Sequence, residues 1–237
     1  KKYSKNKTCI TILTFGIYET NLFNILKNTI IDNKKFFKVA FLPSYSGVKI
    51  RISSTNSSII FFNEFRKKIE DKITEYIYGY DEDRMEDIVA KLLSDKGFTL
   101  SIAESCTGGG LSKILTKIPG SSNYYYGSII AYSNKIKTEV LGVNEELIHE
   151  NGSVSREVAE SMSIQVQRKF NTDIGISITG ISGPSGGTKE KPRGLVYISI
   201  QILDSNKCEK FVFKTERNIH QVLTIYSALN LLRKSII

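Results

Sequence analysis

The sequence predicts an α/β protein: a three-layer α/β/α mixed sheet preceded by a small α+β domain. Strand-like and helix-like apolar patterns alternate through the second half of the 237 residues. The charge is uneven, because residues 1–80 hold 14 Lys and Arg against 6 Asp and Glu, whereas residues 81–237 hold 19 against 18. A polar, acidic segment at residues 79–84 separates these parts. We therefore predict two domains, residues 1–80 and residues 81–237.

The first domain is predicted to contain two helices and three or four strands. Residues 8–15 are rich in strand-forming residues and end at Gly16, which is typical of a strand followed by a turn. Apolar residues at helical spacing predict helices over residues 19–31 and 63–76, the second one capped by Asn63. Further strands are predicted over residues 38–42, 48–53 and 58–62.

The second domain alternates helices and strands. Its helices are predicted over residues 85–96, 108–117, 134–141, 155–170 and 218–236. Its strands are predicted over residues 98–103, 126–131, 173–179, 195–202 and 208–215. The last two strands are expected to form an antiparallel pair around residues 204–206. This alternation predicts a mixed sheet between layers of helices.

The strongest local motif follows the strand at residues 98–103, where residues 103–109 read Ala-Glu-Ser-Cys-Thr-Gly-Gly. Ligands of open α/β sheets bind beyond the carboxyl ends of the strands. Glycines let the backbone approach a ligand, and the start of the next helix offers free N–H groups. Such a turn can hold a phosphate or stabilise an oxyanion. It also fits a simple capped helix start with Ser105 or Thr107 as the cap, and the residues alone do not decide between the two.

A second motif, Tyr132, Ser133, Asn134 and Lys137, follows the strand at residues 126–131. If Ser133 or Asn134 caps the next helix, Lys137 lies in the first turn, where the helix dipole favours the neutral amine. A neutral lysine can deprotonate a serine. Taken alone, Lys137 equally fits a solvent-facing lysine, and Tyr132 a half-buried aromatic residue.

A third loop, rich in glycine and hydroxyl residues, occupies residues 177–188 and contains Thr179, Gly180 and Gly183. It follows an apolar strand, and its composition favours a loop that wraps a ligand or supplies backbone donors. Three such loops at the ends of core strands predict one shared crevice.

The cysteines and histidines argue against a disulfide framework and a metal site. Cys9, Cys106 and Cys208 are odd in number and far apart, and His149 and His220 are the only histidines. We therefore predict no metal and no other cofactor. The patterns of phosphate-binding loops and dinucleotide-binding turns are missing from the sequence. No apolar run of about 18 residues occurs, and no secretory leader is recognised, so a cytoplasmic protein is expected.

Taken in order, these motifs resemble the CinA C-terminal family, the nicotinamide-nucleotide amidases, over about residues 84–235. Two further segments carry the resemblance: Pro-Gly-Ser-Ser at residues 119–122, and Gly152 with Val154 and Ser155. Residues 16–19 and 47–52 resemble, more weakly, the KH-like middle domain of full-length CinA proteins. The resemblance implies the CinA C-terminal fold and a chain without the N-terminal molybdopterin-binding-like domain.

The resemblance implies that nicotinamide mononucleotide is hydrolysed to nicotinate mononucleotide and ammonia. Ser105 would attack the carboxamide, Lys137 with Tyr132 would accept and relay the proton, and amides of residues 106–109 would stabilise the oxyanion. The loop at residues 180–187 and nearby basic groups would hold the 5′-phosphate. The implied substrate-binding residues are Glu104, Cys106, Thr107, Gly108, Gly109, Ser133, Asn134, Thr179, Gly180, Gly183 and Arg217. The resemblance also implies a homodimer and no membrane partner.

Two other hypotheses stay open. Cys106 could be the nucleophile instead of Ser105, although a thiol pairs best with a histidine and neither histidine lies in a glycine-rich loop. Alternatively, the chain is a non-catalytic binding or scaffold module whose basic first domain contacts nucleic acid or protein. Nucleic acid is the less favoured partner, since no arginine cluster with interleaved aromatic residues occurs.

Overall fold

The computed structural model describes residues 8–54 and 57–237. The chain divides into two compact units, of which the first ends at Met85 and the second begins at Glu86. Within the described ranges, no helix combines the length and the apolar character that crossing a membrane requires.

The first unit combines a four-stranded antiparallel sheet with two helices. Its strands are β1 (Thr8–Thr14), β2 (Lys38–Ser44), β3 (Gly47–Ser54) and β4 (Ile77–Tyr80), in the order β2-β3-β1-β4. Its helices are α1 (Glu19–Asn33) and α2 (Ile59–Ile73). One face of each helix, represented by Leu26 and Phe65, shares a core with alternate residues of β1 and β3.

Residues 58–62 form no strand, so that prediction is wrong. The helix α2 begins at Ile59, and Ser58 caps it by accepting a hydrogen bond from the amide of Phe61 at 3.3 Å. Asn63 lies inside α2 rather than at its cap. The run of isoleucine and phenylalanine has high strand propensity, but Phe62 and Phe65 reach the core at helical spacing, and tertiary packing overrides propensity.

The second unit is built on a five-stranded mixed sheet, as the sequence predicts. Its strands are β5 (Leu100–Glu104), β6 (Tyr125–Ile130), β7 (Ile174–Gly180), β8 (Leu195–Ile202) and β9 (Ser205–Val212), in the order β6-β5-β7-β8-β9. The strands β6, β5 and β7 are parallel, whereas β8 and β9 continue the sheet in antiparallel fashion.

Helices cover the sheet and complete the predicted three-layer fold. They are α3 (Met85–Lys96), α4 (Gly110–Leu115), α5 (Glu145–Asn151), α6 (Arg156–Phe170) and α7 (Arg217–Ile236). The helix α6 lies very close to β7, because a Cβ on Gly175 would stand 2.1 Å from the carbonyl oxygen of Ser163. Glycine at this position therefore sets the spacing between α6 and the sheet.

The segment after β6 differs from the regular helix that we predicted for residues 134–141. Ser133 caps it, since its hydroxyl accepts a hydrogen bond from the amide of Ile136 at 3.3 Å. The segment then continues as a π-helix over Ile136–Leu141 and ends at Gly142, whose φ is +90°. Single π-helical turns are often found at functional sites, and here the turn carries the buried side chain of Lys137.

Candidate active site

The three predicted motifs meet at one edge of the second sheet. Because β5, β6 and β7 are parallel, the loops that follow them emerge on the same side. A cavity of about 210 Å³ lies there. It is lined by Ser105, Cys106, Tyr132, Asn134, Lys137, Ser153, Val154, Thr179, Gly180, Ser182 and Arg217.

Most of the predicted site residues line this cavity, and some do not. Those that line it are Ser105, Cys106, Tyr132, Asn134, Lys137, Thr179, Gly180 and Arg217. Those that the structure places outside the lining are Glu104, Thr107, Gly108, Gly109, Ser133 and Gly183. The prediction missed Ser153, Val154 and Ser182, although Val154 and Ser182 belong to segments that the motif analysis had singled out.

Ser105 and Lys137 face each other across the cavity. The Nζ atom of Lys137 lies 3.3 Å from Oγ of Ser105 and donates a hydrogen bond to the carbonyl of Ala131 at 2.8 Å. The backbone amide of Ser105 donates to the carbonyl of Ile178 at 3.0 Å, which holds the residue at the end of β5. This separation is close to the range over which a base takes a proton from a nucleophile.

The amine of Lys137 sits in surroundings that favour its neutral form. The residue is only 2% exposed, and among the described residues no carboxylate contributes to the shift of its pKa. Burial is the main cause that lowers the pKa of Lys137 below its usual value, and the nearby Cys106 opposes this shift. We expected the helix dipole to be the cause, but removal of the amine from water dominates.

Glu104, which the resemblance assigns to substrate binding, does not line the cavity. Its carboxylate is fully buried and accepts hydrogen bonds from the amides of Gly109, Leu111 and Ser112 at 3.0, 3.2 and 2.8 Å. The hydroxyl of Ser112 donates to it as well, at 2.6 Å. The carboxylate therefore satisfies the free N–H groups at the start of α4 and compensates the positive end of the helix dipole.

The turn after Ser105 leaves two backbone amides for a ligand. The amide of Gly108 donates to the carbonyl of Ser105 at 3.0 Å, and that of Gly109 is held by Glu104. Those of Cys106 and Thr107 have no oxygen acceptor among the residues that the structure describes. Of the amides of residues 106–109 that we predicted as oxyanion donors, only these two are not held by an oxygen acceptor of the described residues, and the Cys106 amide contacts its own thiol.

Cys106 lies beside Ser105 but is poorly suited to act as a nucleophile. Its thiol is buried, and burial raises the pKa to about 11. The thiolate is the reactive form of cysteine, and no histidine hydrogen bond to this thiol occurs in the described part of the chain. The geometry therefore favours Ser105 over Cys106.

Arg217 ties two of the predicted loops together. Its guanidinium donates to the carbonyl of Gly183 at 2.7 Å and to the hydroxyl of Tyr132 at 2.9 Å. Tyr132 is 59% exposed, and its hydroxyl contacts Arg217 rather than the amine of Lys137. Tyr132 is thus placed as a wall of the cavity more than as a partner of the base.

A larger cavity of about 650 Å³ adjoins the first, and Ser182 and Arg217 line both. Arg193, Lys214 and Arg217 line it, against one acidic residue, Glu216. The helix α7 also begins here without a side-chain cap, so its first amides are available. Cations and free amides at the start of a helix form an anion-binding environment.

Comparison with known protein families matches both parts of the chain. Residues 82–236 match the CinA C-terminal domain, and residues 10–79 match the damage-inducible protein CinA KH domain. A putative competence-damage inducible protein of Halothermothrix orenii is 41% identical over 95% of this chain and 57% of its own length. A CinA-like protein of Thermotoga maritima is 36% identical over 95% of this chain and 55% of its own length. The chain thus spans a little over half the length of these relatives.

Solved structures of similar proteins match about two thirds of the chain. The competence or damage-inducible protein from Enterobacter asburiae superposes with a TM-score of 0.63 at 26% identity, covering 65% of this chain and 96% of that one. The competence/damage inducible protein CihA from Agrobacterium tumefaciens gives a TM-score of 0.61 at 30% identity, covering 64% of this chain and 94% of that one.

Proposed function

Since this chain belongs to the CinA family, we propose that it is a nicotinamide-nucleotide amidase acting on nicotinamide mononucleotide. The observation that supports this most directly is the buried amine of Lys137, 3.3 Å from the hydroxyl of Ser105. A serine next to a neutral amine is a nucleophile with its base, a pairing that can carry acyl transfer from an amide.

In the first half of the proposed reaction, Ser105 Oγ attacks the carbon of the carboxamide. Its proton passes to Nζ of Lys137, and the C–O bond forms as the carbonyl π electrons move onto oxygen. The resulting oxyanion accepts hydrogen bonds from the amides of Cys106 and Thr107. Collapse of this intermediate breaks the C–N bond, and Lys137 returns the proton to the departing nitrogen, so that ammonia and a serine ester result.

In the second half, water takes the place of the serine hydroxyl. Lys137, neutral again, accepts a proton from the water that attacks the ester. The amides that held the first oxyanion hold the second, and Ser105 leaves with the proton from Lys137. The products are nicotinate mononucleotide and the free enzyme, with the atoms of one water molecule consumed.

The substrate's 5′-phosphate gives a reason for the basic cavity beside the catalytic pair. Arg193, Lys214 and Arg217 supply positive charge, and the first amides of α7 supply donors. The carboxamide would then lie in the small cavity, with the nucleotide extending past Arg217 into the larger one. This arrangement would use binding energy from the phosphate to position the amide at Ser105.

The test is ammonia release from nicotinamide mononucleotide by this chain, with Ser105→Ala and Cys106→Ala as a matched pair. We expect the wild type to form ammonia and nicotinate mononucleotide in equal amounts. Ser105→Ala should lower kcat by at least about 10³-fold, as loss of a nucleophile does elsewhere, whereas Cys106→Ala should stay active.

Two other outcomes would contradict the assigned nucleophile or the amidase activity itself. An inactive Cys106→Ala together with an active Ser105→Ala would assign the nucleophile to the thiol. If the wild type forms no ammonia but binds DNA or RNA in a salt-sensitive manner, the chain is a binding module and the amidase proposal fails.

A further inference from the structure

His220 is fully buried in the first turns of α7, and it connects to the small cavity through Ser182. Its Nε2 atom lies 3.1 Å from the carbonyl oxygen of Gly194, and its Nδ1 atom lies 3.0 Å from Oγ of Ser182. The ring of Phe213 packs edge-on against the imidazole, with 5.9 Å between centroids. Both ring nitrogens therefore have defined partners.

These partners fix the direction of each hydrogen bond. A carbonyl oxygen can only accept, so Nε2 carries the proton and donates to Gly194. Burial lowers the pKa of His220, the hydrogen bond to the Gly194 carbonyl opposes this shift, and the charge of Arg217 lowers the pKa as well. The net lowering favours the neutral ring, in which Nδ1 carries no proton and is an acceptor. The hydroxyl proton of Ser182 consequently points at Nδ1. Its oxygen also has a hydrogen-bond contact with the thiol of Cys106, which leaves one lone pair of the oxygen for the cavity.

Ser182 lies where the acceptor character of its oxygen can affect a ligand in the small cavity. It is 4% exposed, it lines the small cavity together with Ser105, and it lies beside the thiol of Cys106. An oxygen that offers only lone pairs attracts an N–H group and repels a carboxylate oxygen. An amide substrate and its acid product differ in this respect, since a carboxamide carries two N–H donors and a carboxylate carries none.

We propose that Ser182 Oγ accepts a hydrogen bond from the carboxamide N–H of the substrate, and that His220 is a positioning residue that keeps this oxygen an acceptor. The inference rests on the proposed amidase function and adds a selectivity device to it. The lone pair that holds the amide also disfavours the carboxylate, so the product binds more weakly than the substrate and leaves the site.

The test measures binding of two nucleotides to a chain that cannot turn over. Ser105→Ala provides the background, and calorimetry gives the affinities for nicotinamide mononucleotide and nicotinate mononucleotide. Ser182→Ala should weaken binding of the amide by about 3–10-fold, as loss of one neutral hydrogen bond does. Binding of the acid should stay the same or become tighter, so the ratio of the two affinities falls.

His220→Leu tests the positioning role through a double-mutant cycle. It should shift the same ratio in the presence of Ser182 and have no further effect in the Ser182→Ala background, because His220 acts through that hydroxyl. If His220→Leu does not fold, His220→Gln takes its place, since an amide there can still donate to Gly194 while removing the acceptor at the Nδ1 position. Ser235→Ala is the matched control, as this hydroxyl bonds the Leu231 carbonyl near the other end of the 20-residue α7.

The outcomes separate this inference from the function on which it rests. Equal losses for amide and acid on Ser182→Ala would overturn it, and would indicate a contact with a ribose hydroxyl that both nucleotides share. A His220 effect that persists undiminished in the Ser182→Ala background would overturn the positioning role. If the wild type releases ammonia but Ser182→Ala leaves the affinity ratio unchanged, the role of Ser182 is refuted and the amidase proposal stands. If the wild type neither releases ammonia nor binds either nucleotide, the amidase proposal fails as well.

Discussion

Glu104→Gln removes one negative charge from the most heavily hydrogen-bonded side chain next to the nucleophile. In the native protein Oε1 accepts from the amide and the hydroxyl of Ser112, and Oε2 accepts from the amides of Gly109 and Leu111. All four partners are donors. A glutamine has one oxygen and one NH₂ group, so whichever way it turns, its NH₂ group faces donors.

The smallest cost arises when the NH₂ group takes the place of Oε1. The Ser112 hydroxyl can then rotate and accept from it, but the Ser112 amide is left without a partner, which costs about 1–3 kcal/mol. The amides of Gly109 and Leu111 keep their oxygen but lose the assistance of its charge, at roughly 1 kcal/mol each. The free energy of unfolding of the second unit should therefore fall by about 3–5 kcal/mol, in line with the loss of other buried charge partners.

Hydrogen exchange in increasing urea measures this loss where it occurs. Peptides from β5 and β7 report unfolding of the second unit separately from the first. Glu150→Gln on α5 is the matched control, because Glu150 is exposed, and it should change stability by less than about 0.5 kcal/mol. In Glu104→Gln the fraction of molecules that remains folded should keep a normal KM for nicotinamide mononucleotide.

A Glu104→Gln variant with unchanged stability and a raised KM would refute this reasoning. That result would mean that the carboxylate contacts the substrate, as the family resemblance implies, and that α4 tolerates an uncompensated start. A decrease of less than about 1 kcal/mol in the free energy of unfolding would also contradict the proposed loss of hydrogen bonds to Glu104, since a single unsatisfied buried amide already costs that much.

Three further predictions concern Lys137, Arg217 and the cysteines. Lys137→Met should lower kcat by about 10²–10⁴-fold, the usual contribution of a general base. In the wild type, kcat/KM should rise as the pH increases through the lowered pKa of Lys137, because only the neutral amine accepts a proton. Both are read from ammonia release between pH 6 and 10, and a rate that is flat or falls over that range contradicts the assignment. Arg217→Ala should raise KM about 10–100-fold with little change in kcat, as expected for lost hydrogen bonds to a phosphate, and a loss in kcat alone would place Arg217 at the reacting atoms. At pH 8, iodoacetamide should label the exposed Cys9 and spare Cys106, because burial raises the pKa of Cys106 to about 11. Mass spectrometry of the labelled chain shows which cysteine has reacted. Rapid labelling of Cys106 would support the thiol as the nucleophile.

The fold of the second unit was predictable because residues close in sequence mark where its helices and strands begin and end. Ser155 caps α6 through its hydroxyl, which accepts from the amide of Val158, and Gly97 follows α3 with a positive φ of 66°. The apolar run at the centre of the sheet, Ile174–Gly180, has the continuous burial of an internal strand. Such signals lie within a few residues of the element that they define, so one sequence carries them.

The parts that were not predictable depend on contacts between distant residues. Glu104 and Ser105 are neighbours in the motif, but only the path of α4 decides that one side chain turns to a helix and the other to the cavity. Ser182 and His220 are 38 residues apart, and nothing in either local pattern links them. Helix α5 was missed because it is a short segment of seven residues, in which tertiary packing supplies what propensity lacks.

Two ionisable residues adjoin Ser105: Lys137 through its side chain, at 3.3 Å, and Glu104 as its neighbour in the chain. In the proposed reaction Lys137 must be neutral before the attack and give its proton back within the same half-reaction. A carboxylate facing the amine would raise its pKa, keep it charged at neutral pH and remove the base. Glu104, directly next to the nucleophile in the chain, is held away from this role by four donors at the start of α4. Loss of those donors would thus affect Lys137 as well as α4. The released carboxylate of Glu104 would lie next to Ser105, where it could pair with the amine of Lys137 and favour the charged form.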